Sequence, residues 1–293
     1  MDNKMQLQQV SRVCPLLETE HPAKQLGYAP EPWILLECNE SGFVYLQNPP
    51  EYSHLEEDFA WETTYVRESN SREKSEPTRY ALSNAIKKFR RTVLKRDKVM
   101  RLATDFLGER AKKHSDSLNV LDVGCAQANL LGNLYQHLPM VVADRVVPFG
   151  IEISTHLAGL AQQKLSERGG TCEHASAIDG LTRFDANKFD LIVLSSFLEH
   201  EINPLPLLRL CWNTLKPGGF VIIKVPNYDS VNRHVRGSKW CGFRWPDHVN
   251  YFTPLSLTKM AQKSGLQIAR MKLVDRQPLS DSMYCVLIKT VAA

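Results

Sequence analysis

Val120-Leu121-Asp122-Val123-Gly124-Cys125-Ala126-Gln127-Ala128 is a short apolar strand that stops at a glycine and opens a run of small residues. From Gln127 to about His137 the apolar spacing turns helical. A strand, a small-residue turn and a helix in that order put free backbone N–H groups at the carboxyl edge of a sheet. Ligands of open parallel sheets bind there. A turn without bulky side chains lets a ligand touch the backbone, and a helix N-terminus favours a carboxylate. Gly124, Ala126 and Ala128 supply the small positions.

Downstream, the same alternation repeats. Strands are expected at Val147 to Glu152, Phe189 to Leu194 and Phe220 to Val225, after the first at Asn119 to Val123. Helices are expected at Thr155 to Arg168 and Pro204 to Leu215. This order implies a parallel sheet covered on both faces. A further helix has Thr253 as N-cap, Pro254 at its first position and Gly265 at its stop. Strands at Gln267 to Val274 and Met283 to Lys289 close the chain. Across Gly150-Ile151-Glu152-Ile153-Ser154 an acid stands at the end of the second strand, where a carboxylate can accept hydrogen bonds from both ribose hydroxyls.

Upstream, two zones differ in composition. Residues 1–75 are rich in Pro, Glu and aromatics, with short apolar runs at Trp33-Ile34-Leu35-Leu36 and Phe43-Val44-Tyr45-Leu46. Asn39-Glu40-Ser41-Gly42 between them suits a hairpin turn. Residues 76–117 read as an amphipathic helical segment: Leu82, Ile86, Phe89, Val93, Met100, Ala103 and Leu107 recur at helical spacing. Its other face is basic, through Lys87, Lys88, Arg90, Arg91, Lys95, Arg96, Lys98 and Arg101. That face reads as a solvated surface before it reads as a nucleic-acid contact. Residues 118–293 form the alternating domain. The 293-residue chain is 43% hydrophobic with a net charge of +4, too mild a balance to argue for nucleic acid. It has no apolar run of membrane-spanning length and no secretory signal in its polar first residues. Its seven cysteines show no framework spacing, so free thiols and a cytoplasmic location are expected. Nothing in it speaks to oligomeric state.

At these residues the chain resembles the class I S-adenosylmethionine-dependent methyltransferases, over about Leu118 to Lys289. The resemblance implies a Rossmann-like α/β fold: a seven-stranded, mostly parallel sheet with helices on both faces, preceded here by the hairpin extension and the basic helix. It implies S-adenosylmethionine as cofactor, S-adenosylhomocysteine as product and a small-molecule acceptor. Asp122 and Gly124, with Cys125, Ala126 and Gln127, would frame the methionine end. Glu152 and Ile153 would meet the ribose, Ser176 and Ala177 the adenine, and Ser195 the active-site end of the fourth strand. That strand runs Phe189 to Leu194 into Ser195-Ser196-Phe197-Leu198-Glu199-His200. Leu215-Lys216-Pro217-Gly218-Gly219-Phe220 resembles the turn before the fifth strand.

This sequence departs from the family where Ala126 and Ala128 replace glycines. Ala128 adds a methyl expected to tighten the cofactor site. Ser176 stands where the family often has an acid, a role Asp179 could take. Pro139 to Pro148 reads as an insertion.

Several residues carry two readings. Asp122 could hold the turn through backbone hydrogen bonds. Cys125 reads as a packing residue, since no paired base is evident. His200 could steady the loop over the cofactor or take a proton. The segment Trp240-Cys241-Gly242-Phe243-Arg244-Trp245-Pro246-Asp247-His248-Val249-Asn250-Tyr251-Phe252 resembles the cap of small-molecule members. It could be a lid over a ring-shaped acceptor or a satellite core. His200 and His248 are the candidate catalytic bases for an oxygen acceptor: a sugar, a quinone precursor or a natural product.

Cys14-Pro15 and Cys38-Asn39-Glu40-Ser41 resemble a zinc ribbon that precedes some bacterial methyltransferases. Leu17 and Ser41 stand where its second cysteines would be, so neither zinc nor any other metal is expected. Three rival functions are an RNA or DNA methyltransferase using the basic helix, a nicotinamide dehydrogenase and a non-catalytic cofactor-binding protein. A base amino-methyltransferase would show Asp/Asn-Pro-Pro-aromatic where this chain has Ser195-Ser196-Phe197-Leu198. A nicotinamide dehydrogenase would need glycine at Asn129.

Overall fold

The computed structural model describes residues 11–50 and 97–290. The expected helix residues Leu82, Ile86, Phe89 and Val93, and the basic residues from Lys87 to Arg96, lie outside them.

The N-terminal part gives β1 (Ala23–Leu26), β2 (Leu35–Cys38) and β3 (Val44–Leu46). The expected hairpin is β2–β3, antiparallel, with Leu36 opposite Tyr45. Its first strand starts two residues later than the apolar run Trp33–Leu36 suggested, because Ile34 N–H is taken by the Asn48 side chain and not by a strand partner.

Then follow α1 (Lys98–Lys113), β4 (Leu118–Val123), α2 (Asn129–Tyr135), α3 (Met140–Ala143), β5 (Val146–Glu152), α4 (Thr155–Ser166), β6 (Thr171–His174), α5 (Ala177–Thr182), β7 (Phe189–Ser195), α6 (Pro204–Thr214), β8 (Leu215–Pro226), α7 (Val231–Arg236), β9 (Asn250–Tyr251), α8 (Pro254–Lys263), β10 (Gln267–Arg270) and β11 (Ser282–Ile288).

The large sheet has the order β10-β11-β8-β7-β4-β5-β6. Pairings from β6 through β8 are parallel; β11 runs against both its neighbours. The mostly parallel seven-stranded sheet is therefore present. Each of its faces carries an apolar core. Leu121, Ile192, Ile223 and Leu287 point to one; Val120, Val193, Ile222 and Val286 point to the other, under α1. Strand order reverses at β4, with β5 and β6 on one side and β7 and β8 on the other, so a crevice opens at the carboxyl ends of β4, β5 and β7.

Further readings change. β6 was not foreseen. The strand from Gln267 stops at Arg270 and gives way to a 3₁₀ turn at Leu273–Asp275, where the Asp275 carboxylate accepts from Lys272 N–H at 2.9 Å. The helix after the small-residue turn starts at Asn129 rather than Gln127, because Ala128 is left-handed (φ 57°). Within Pro139 to Pro148 lies the single turn α3, and β5 already begins at Val146. Basic residues of α1 also serve internally: Arg110 pairs with Asp190 at 2.9 Å, and Lys98 with Asp275 at 2.9 Å.

β3 also pairs with β9, Val44 opposite Tyr251, so the hairpin joins the segment that precedes α8.

Candidate functional site

The turn after β4 has three left-handed residues: Gly124 (φ 70°), Ala126 (φ 48°) and Ala128 (φ 57°). Glycine adopts such angles freely; each alanine there costs about 1–2 kcal/mol. Gly124 is also tightly approached, since a Cβ on it would stand 2.6 Å from Cδ2 of Phe197. Ala128 is buried in the core on the α1 face of the sheet and is not part of the cleft lining, so its methyl fills the core and does not narrow the cleft.

Glu152, at the end of β5, holds the turn. Its Oε2 accepts from Ala126 N–H at 2.8 Å and its Oε1 from Ser154 N–H at 3.0 Å. The turn-holding expected of Asp122 thus falls to Glu152. Asp122 is buried beneath, and burial together with the Glu152 charge holds its carboxyl well above the usual carboxylate range.

A cleft of about 280 Å³ opens over this turn. Asp122, Gly124, Cys125, Ala126, Gln127 and Ser195 line it, and Asn129, Leu130 and Leu157 join them. Cys125 Sγ faces Cys172 Sγ at 3.8 Å, consistent with a packing residue at the edge of the cleft. Glu152, Ile153, Ser176 and Ala177 stand outside its lining. Ser176 is the N-cap of α5: its hydroxyl accepts from Asp179 N–H at 3.1 Å and donates to the Asp179 carboxylate at 2.7 Å. Ser176 and Asp179 form one unit there. Ala177 is buried at the start of α5, and Ile153 is half-buried.

β7 ends at Ser195, and Ser196 (φ 57°) turns the chain toward Glu199 and His200. His200 and His248 meet edge to face, with ring centroids 4.7 Å apart. Each fixes its ring through Nδ1, His200 to Asp247 O at 2.9 Å and His248 to Gly242 O at 2.8 Å. A carbonyl only accepts, so each Nδ1 carries the proton. Glu199 was not singled out by sequence. It is buried beside His200, with Oε1 at 4.0 Å from the imidazole Nε2 and Oε2 without a hydrogen bond. Ligand-type atoms of Glu199, His200 and His248 lie within 4.8 Å of one another. Burial pushes the Glu199 carboxyl up to about 7, against the pull of Lys224 and Arg244. Burial, and then the Arg244 charge, push His200 down to about 4.

These opposite shifts give a pH signature. The raised Glu199 value stabilises the fold at low pH, and that contribution is lost as pH rises from about 4.5 to 7. The depressed His200 value stabilises above about 6.5 and is lost as pH falls toward 4. The two slopes nearly cancel between, so Glu199→Gln should expose the histidine slope and His200→Gln the opposite one. Each amounts to roughly 3 kcal/mol across the window, read as urea midpoints at successive pH values. Parallel pH profiles for wild type and both variants would contradict the assignment.

A family model described as a methyltransferase domain matches residues 87–270. The chain belongs to this family. The ubiquinone biosynthesis O-methyltransferase of Paraburkholderia xenovorans is 25% identical over 185 residues, covering 58% of this chain and 73% of that protein. The protein of the same description from Methylococcus capsulatus is 25% identical over 176 residues, covering 56% and 69%. A solved S-adenosylmethionine-dependent methyltransferase from Methanosarcina mazei is 16% identical, covers 60% of this chain and 94% of its own, and superposes with a TM-score of 0.44. The chain is an S-adenosylmethionine-dependent methyltransferase.

In this methyltransferase the aromatic segment is largely core. Trp240, Phe243 and Tyr251 are buried with Leu35, Val44 and Tyr228, and Trp240 Nε1 donates to Asp281 at 2.8 Å. Phe243 stacks on Trp245 and on Tyr28, both with centroids 5.3 Å apart. The satellite-core reading holds for these rings, which tie β1–β3 to the loop carrying His248.

Arg12 was also missed. Its buried guanidinium donates to Leu46 O, Val249 O, Ile202 O and Asn250 Oδ1, at 3.2, 3.1, 2.6 and 2.8 Å. Asn250 Nδ2 in turn donates to Leu198 O at 3.0 Å and Glu201 O at 2.6 Å. The loop bearing Glu199 and His200 is therefore stitched to the N-terminal hairpin and to β9.

Proposed function

We propose that the chain methylates an oxygen of a small hydroxylated molecule, with His200 as the group that takes the hydroxyl proton. The observation that carries this is the His200 ring itself: Nδ1–H is committed to Asp247 O, so a lone pair remains on Nε2 at the end of β7. The names of the curated relatives, O-methyltransferases of ubiquinone biosynthesis, support oxygen as the acceptor atom. His248 buttresses the ring edge to face, and Glu199, which binds a proton more tightly than His200 does, is where that proton comes to rest.

The cofactor's residues fit as a set. The Gly124 turn and the cleft lining, with Asp122, Cys125, Ala126, Gln127 and Ser195, would hold the aminoacyl end. Glu152 would use its remaining lone pairs on the ribose hydroxyls, with Ile153 beside it. Ser176 and Ala177 would border the adenine. S-adenosylmethionine supplies a methyl already activated on a sulfonium, so the protein mainly aligns and deprotonates. No metal enters this reading and the location is cytoplasmic; no described helix is long and apolar enough to cross a membrane.

Methyl transfer to a panel of catechols, phenols and sugars, assayed with labelled donor, tests the reading. His200→Gln should lower kcat by about 100-fold or more while leaving S-adenosylhomocysteine affinity within twofold. The wild-type rate should rise with pH through about 7 as Glu199 ionises. It should survive EDTA. Transfer to nitrogen, an undiminished His200→Gln rate, or a rate lost to EDTA and restored by a divalent cation would overturn it. The last result would reassign Glu199, His200 and His248 as metal ligands.

A further inference from the structure

We infer that the methyl acceptor carries a carboxylate or an equivalent anion, held by Lys224. This rests on the reading of the cleft as the methyl-transfer site. Lys224 lies near the carboxyl end of β8, in register with Ser195 of β7 and Tyr284 of β11. Residues in register share a sheet face, so Lys224 stands on the face from which Ser195 lines the cleft. It is half-buried, and no hydrogen bond or ion pair among the described residues holds its ammonium.

Other buried or half-buried lysines of this protein are engaged. Lys216 pairs with Asp190 at 2.7 Å, Lys98 with Asp275 at 2.9 Å, and the Lys289 ammonium donates to Asn187 at 2.8 Å. Glu199 feels the Lys224 charge but forms no ion pair with it. Glu199 is buried with its carboxyl pushed up to about 7, so it is only partly ionised at neutral pH, and Arg244 adds a second positive charge to the field at Glu199. A partly desolvated cation without a counter-ion is costly, and a ligand anion offsets that cost.

The cofactor's own carboxylate is the other possible source of that anion. Its seat at the Gly124 turn is on β4, two strands from β8, or about 10 Å at the usual strand spacing. The acceptor is therefore the better-placed source.

The test is calorimetric titration of benzoate and of benzamide into the protein saturated with S-adenosylhomocysteine, for wild type, Lys224→Met and Lys224→Arg. Benzoate should bind wild type and Lys224→Arg at least tenfold tighter than benzamide. Lys224→Met should lose that preference while keeping its melting temperature and S-adenosylhomocysteine affinity. Benzoate no tighter than benzamide, or a preference that survives in Lys224→Met, would overturn the inference. So would a Lys224→Met form with weakened S-adenosylhomocysteine binding, since the anion would then be the cofactor's. Failure of wild type to bind S-adenosylhomocysteine in the first titration would strike the underlying reading instead.

Discussion

Glu152→Gln should weaken S-adenosylhomocysteine binding by about 100-fold, the loss of two charge-assisted hydrogen bonds. The substitution keeps the side chain's shape but turns an acceptor-only carboxylate into a group with N–H donors. One of those would face the N–H of Ala126 or Ser154, so the turn loosens where the ligand must touch it. The turn already carries two left-handed alanines, and its hydrogen bond to Glu152 is what holds Ala126 in place. Glu152→Ala should go further and cost on the order of 2–4 kcal/mol of stability, because two backbone N–H groups lose their partner. Calorimetry and urea titration read the two effects separately. An affinity unchanged in Glu152→Gln would mean that the acid braces the fold and nothing more.

Arg12→Met should be the most destabilising substitution of a buried polar residue in the N-terminal part, about 3–5 kcal/mol, or roughly 10 °C in melting temperature. Methionine keeps the apolar stem but strips donors from Leu46 O, Val249 O, Ile202 O and Asn250. The loss should also reach the active-site loop, since Ile202 follows His200 closely and Asn250 clamps Leu198 and Glu201. A ¹⁵N imidazole spectrum should then show His200 leaving its single Nδ1–H tautomer. A destabilisation below about 1 kcal/mol, or an unchanged His200 spectrum, would contradict this account.

The legible parts of the fold were those with local signals. The strand Asn119–Val123 and its turn announce themselves because small residues must follow a strand whose end approaches a ligand. Thr253, Pro254 and Gly265 mark α8 because capping chemistry is confined to a few residues. β6 escaped because Thr171-Cys172-Glu173-His174 is an edge strand whose side chains are exposed or half-buried, leaving no apolar run to read. β9 is two residues long and owes its existence to β3, far away in sequence.

The site divides the same way. Residues of the turn were found because they are contiguous. Glu199 was passed over as a neighbour of His200, though an acid following the apolar run Phe197-Leu198 was a usable sign of a buried carboxyl. Arg12 gave none, since its partners stand as far off as Asn250. Ser176 and Asp179 were separated by sequence reasoning as alternatives, whereas a helix N-cap joins them.

Hydrogen–deuterium exchange with and without S-adenosylhomocysteine tests the central claim most directly. The account predicts protection concentrated in the Gly124–Ala128 turn, the Glu152–Ser154 strand end and the Ser195–Phe197 turn. Uniform exchange in both states, or protection confined to other segments, would show that the nucleoside does not rest at this edge of the sheet.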